Sequence, residues 1–97
     1  MRTVNYSIEK IVSQMGSINI TTEEIIRITE DKNNKYVYCE FAISSDSGIV
    51  DTREITITGE DYELLMSSNP EFAPNKPANE YREVDIWHMV DLIRARP

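Results

Sequence analysis

The sequence is poor in what catalytic sites are built from. Among 97 residues there is one cysteine, Cys39, and one histidine, His88. A lone cysteine excludes an intramolecular disulfide, and with it the stapled scaffolds of small secreted proteins. The three glycines, at 16, 48 and 59, stand apart, so no phosphate-cradling loop is present. No Gly-x-Ser-x-Gly elbow accompanies His88. Cys39 lies among Val37, Tyr38, Phe41 and Ala42, where an inert buried thiol is expected. Apolar runs are too short to span a membrane, and Met1 to Tyr6 leads into no signal-peptide core. A cytoplasmic protein without cofactor or metal is the expectation. Cations are also scarce, with ten Lys and Arg against 17 carboxylates for a net charge of −7. That discourages contact with a phosphate backbone, so no nucleic acid is expected as a partner. The acidity suits a basic partner protein, or serves to keep the domain soluble.

What is present describes one α+β domain over residues 1–97. Hydrophobic residues make up 40% of the chain, enough for a core without a staple. Lys35 to Ser44 is rich in aromatic and β-branched residues and shows no helical stripe, so it reads as a strand. Before it, Glu24 to Thr29 carries Ile25, Ile26 and Ile28, and Asp31-Lys32-Asn33-Asn34 supplies a turn. After it come the turn Ser45-Asp46-Ser47-Gly48 and the alternating segment Asp51 to Thr58. The N-terminal third fits two patterns. Val4, Tyr6 and Ile8 alternate as in a strand, whereas Ile8, Ile11, Val12 and Met15 fit a helix capped by Ser7 and stopped by Gly16. The matched segments 3–14 and 18–29, with Gly16-Ser17 as hairpin turn, favour an antiparallel meander of about four strands.

The last 40 residues read as helical. Thr58-Gly59-Glu60-Asp61 starts a short helix that carries Tyr62, Leu65 and Met66 on one face and ends before Asn69-Pro70. Residues 69–79 contain Pro70, Pro74 and Pro77 and fit no regular element; Phe72 is expected to pin them to the core. An amphipathic helix then begins near Asn79, with Ile86, Met89, Val90 and Ile93 as its core stripe.

Candidate sites follow from these placements. Asp85, His88 and Asp91 recur every third residue on the last helix and form a candidate divalent-metal set. Six residues spread the outer carboxylates over nearly two turns, so a solvated polar face is the plainer reading. The carboxylate pairs Glu23-Glu24, Glu30-Asp31 and Glu60-Asp61 fit a strand face, a turn and a helix N-terminus respectively. Trp87 lies off the core stripe, and with Tyr81 and Val84, beside Phe72, makes a candidate interface. A partly exposed face and packing beneath the proline loop are both open to it. Together these features lead to a non-catalytic interaction or structural-assembly protein with a protein partner, a second copy paired through a sheet edge being one such partner. Two alternatives are a small acidic inhibitor of a basic nucleic-acid-binding protein and a ligand- or metal-binding domain using Asp85, His88 and Asp91. The overall style (acidic, motif-free, strands first and helices last) resembles that of bacteriophage and prophage accessory proteins, a likeness carried by no particular residue.

Overall fold

A computed structural model describes residues 1–11 and 15–96. The chain runs through β1 (Arg2–Ile11), β2 (Met15–Asp31), β3 (Tyr36–Ser45), β4 (Gly48–Thr58), α1 (Gly59–Met66) and α2 (Glu83–Arg94). The four strands form one sheet in the order β1-β2-β3-β4. The fold is therefore α+β with an N-terminal antiparallel meander, as the alternating segments imply.

Residues 4–11 lie in β1, and the helical reading of this stretch falls. Gly16 and Ser17 are also not a turn. Gly16 pairs with Lys10 and Ser17 with Glu9, so both are ladder residues, and Ile11 pairs with Met15. The stretch 12–14 lies outside the described residues. Further along, Thr3 faces Thr22 but Tyr6 faces Ile20, so β1 carries one extra residue, a β-bulge.

The strands pass through two compact units. The first comprises Met1–Ile28 and Cys39–Glu54. Its core holds Ile20, Cys39, Phe41, Ala42 and Ile43, together with Glu23, which is fully buried. The Glu23 carboxylate is met by Arg2, whose Nε and Nη2 donate to Oε1 at 2.9 and 2.6 Å. The Tyr6 hydroxyl donates to Oε2. A carboxylate taken out of water needs such partners, and the first half of β1 provides them.

The second unit comprises Thr29–Tyr38 and Ile55–Pro97. The link from β2 to β3 is an Asx-type turn, in which Asp31 accepts from the Asn34 backbone N–H at 2.9 Å and from its amide at 2.8 Å. Gly59, at φ 59°, is the pivot from β4 into α1 and occupies a conformation that side chains disfavour. α1 buries Tyr62, Leu65 and Met66, and α2 buries Ile86, Met89 and Val90 on the expected stripe. The two helices pack on each other.

α2 starts at Glu83, four residues later than the sequence pattern suggests. Asn79 has φ 64°, which a helix cannot accommodate. The true start is fixed by Asp85, whose carboxylate accepts the Arg82 backbone N–H at 2.8 Å. That is the reciprocal half of a capping box.

Candidate interaction surface

The segment from the end of α1 to the start of α2 is organised by one buried cation. Lys76 is only 6% exposed, and its Nζ donates to three main-chain carbonyls: Ser67 at 2.7 Å, Pro77 at 3.1 Å and Glu80 at 2.7 Å. An ammonium has three donors, and all three are used. Three asparagines turn the chain around it in the left-handed region, Asn69 (φ 54°), Asn75 (φ 70°) and Asn79 (φ 64°). Asparagine tolerates that region better than other side chains. Main-chain bonds close the loop, with the Asn69 N–H donating to Lys76 and the Asn79 N–H to Met66, both at 2.8 Å. Asn75 donates its N–H to the Asn69 side-chain oxygen at 2.7 Å. The proline-rich stretch is thus a defined structure.

Beside this loop, where Glu30 of β2 meets residues 74–82, lies a cleft of about 600 Å3. Its walls include Pro74, Pro77 and Tyr81, and its charged groups are Glu30, Lys76, Glu80 and Arg82. Arg82 is engaged by Asp85, with Nε and Nη2 donating to the carboxylate at 3.2 and 3.0 Å. Burial pushes the Asp85 carboxyl upward, but the Arg82 side-chain and backbone donors, with the nearby Lys76 charge, outweigh it and hold the group below the ordinary carboxylate range. Glu30 differs. Its Oε2 is buried and accepts no hydrogen bond, and the Lys32 ammonium stands 3.9 Å away.

The four residues expected at an interface differ widely in exposure. Trp87 is buried at 7% exposure, Val84 is 60% exposed and Tyr81 is half-buried. They do not share one open face. Phe72 is half-buried and stacks on His88, with ring centroids 4.2 Å apart and planes 13° from parallel. The loop aromatic therefore lies against the outer ring of α2. The metal set is also divided: Asp85 is buried on Arg82, whereas His88 and Asp91 are exposed. No group of three metal-ligating side chains gathers among the described residues. The Cys39 thiol is fully buried, and burial pushes its pKa up to about 11.

At the far edge of the sheet, β4 is exposed at Gly48, Ile49 and every position from Asp51 to Glu54. Ile49 is 74% exposed. Consecutive exposed residues on a strand mean that both faces are open there.

Sequence reasoning missed Lys76 and Glu30. The available signal was a lysine inside a proline- and asparagine-rich loop, a place where the chain turns too often to satisfy its own carbonyls. For Glu30 there was none, because its burial depends on residues more than 40 positions away. Comparison with protein-family models, with characterised proteins and with solved structures found no match to this chain. No helix among the described residues is long and apolar enough to cross a membrane.

Proposed function

We propose that this is a non-catalytic protein–protein interaction domain that self-associates by pairing the outer edge of β4 with its counterpart in a second copy. The observation that carries the reading is the exposure of β4 as an edge strand over residues 48–54, with Ile49 in solvent. A sheet edge is a template for another strand, and an antiparallel pair of identical edges closes a two-fold dimer. Asp51 and Arg53, which pair with each other at 2.5 Å, and Glu54 place charges of both signs along the strand. Two further observations favour a non-catalytic role. The raised Cys39 pKa keeps it a neutral thiol near pH 7, which is a poor nucleophile. The His88 ring is stacked on Phe72.

Light scattering after gel filtration over a concentration series tests the reading. The native chain is expected to pass from monomer to dimer, and Ile49→Lys to remain monomeric with an unchanged melting midpoint. A native chain that stays monomeric at high concentration removes the proposal.

A further inference from the structure

The cleft beside the Lys76 loop has an unusual balance of charge. Four charged groups line it, two of each sign, but the cations are committed. Lys76 spends its three donors on carbonyls, and Arg82 pairs with Asp85. The carboxylates are not matched in the same way. Glu30 Oε2 accepts no hydrogen bond and has only the exposed Lys32 ammonium at 3.9 Å, and among the described residues no hydrogen bond or ion pair engages the Glu80 carboxylate, which is exposed. The walls between them are the flat surfaces of Pro74, Pro77 and Tyr81.

From this we infer that the cleft is a binding site for the guanidinium group of an arginine side chain on a partner protein. A buried acceptor without a donor costs free energy, and a ligand that donates to it recovers that cost. The ligand must be cationic, because Glu30 and Glu80 are the groups it meets. A guanidinium fits better than an ammonium. It is planar, weakly hydrated and able to stack on Tyr81 and the proline rings while its fork of N–H donors reaches carboxylates on two sides. A divalent metal ion would be short of ligands, since no three metal-ligating side chains meet here among the described residues. The volume of about 600 Å3 accommodates the side chain and part of its backbone. The net charge of −7 draws a cationic segment toward the protein as a whole. None of the cleft's lining residues belongs to the β4 edge, so the inference does not rest on the proposed self-association.

The test is an amide NMR titration with N-acetyl-arginine methylamide, alongside the lysine and citrulline analogues. One side chain of this size is expected to bind with Kd of about 1 mM. The arginine probe should give saturable shifts at Glu30 and residues 74–82, the lysine probe at least several-fold weaker binding, and the citrulline probe none. Glu80→Gln, a change at an exposed position that leaves the fold intact, should weaken arginine binding about tenfold, and Glu30→Gln should do the same. Glu24→Gln, an exposed carboxylate elsewhere on β2, should change nothing. Equal shifts from arginine and citrulline, equal affinity for lysine, or full binding by the Glu80→Gln variant would each overturn the proposal. Ile49→Lys must retain arginine binding if the site is separate from the edge, so failure of one reading leaves the other measurable.

Discussion

At the scale of single residues, the buried Glu23, Lys76 and Asp85 are each answered by named partners, and such pairs set the response to pH. Asp85 is the clearest case. Its folded pKa lies below the ordinary carboxylate value because the donors from Arg82 outweigh the effect of burial. A depressed carboxylate pKa contributes stability that is fully present above the unfolded value, about 3.9, and lost as pH falls through the folded value. Asp61 follows the same rule, held down by the two-fold contact with Arg96 at 2.6 and 2.7 Å. Asp61 lies nearer the surface, so water screens its pair more strongly. Thermal midpoints measured from pH 7 to pH 3 should therefore fall more steeply for the native chain than for Asp85→Asn. Parallel curves would show that Asp85 does not carry this dependence. The asparagine retains an acceptor for the Arg82 N–H, which keeps the helix start in place while removing the titrating group.

At the scale of elements, legibility in the sequence followed the range of the forces involved. β3 was readable because Lys35 to Ser44 is rich in aromatic and β-branched residues and lacks a helical stripe, and composition is a local property. The stripe of α2 was readable for the same reason. Two boundaries and one burial were not. Gly16 and Ser17 have the composition of a turn, yet cross-strand pairing places them in the ladder. Asn79 looked like a helix start, but its backbone turns left-handed in a loop held together by a lysine side chain. Trp87 is off the centre of the stripe and still buried, so one helical period alone does not decide burial. The loop itself yields a prediction. Lys76→Met would leave the carbonyls of Ser67, Pro77 and Glu80 without their donor while keeping the apolar stem. A loss of about 3 kcal/mol in urea unfolding is expected. A midpoint equal to that of the native chain would mean that the loop keeps its shape without the ammonium.

At the scale of the whole molecule, the single thiol offers a measure of opening. Cys39 is completely buried in the central part of β3, and its raised pKa leaves almost no thiolate near neutral pH. Labelling by a disulfide reagent should be slow in the native state and should accelerate in step with urea-induced unfolding, since reaction requires exposure of the strand. Fast labelling without denaturant would place the thiol in a locally open region. The loop around Lys76 has a different consequence. Its cation is held by main-chain oxygens, and every residue has one of those, so the shape of the loop does not depend on which side chains line its outer wall. Mutation is thus free to repaint the rim of the neighbouring cleft, at Glu80 or Pro77 for instance, while the path of the backbone stays fixed. Related chains would then share the lysine and the turning asparagines and differ in what the cleft accepts, a separation of architecture from recognition that lets binding preference drift without loss of the fold.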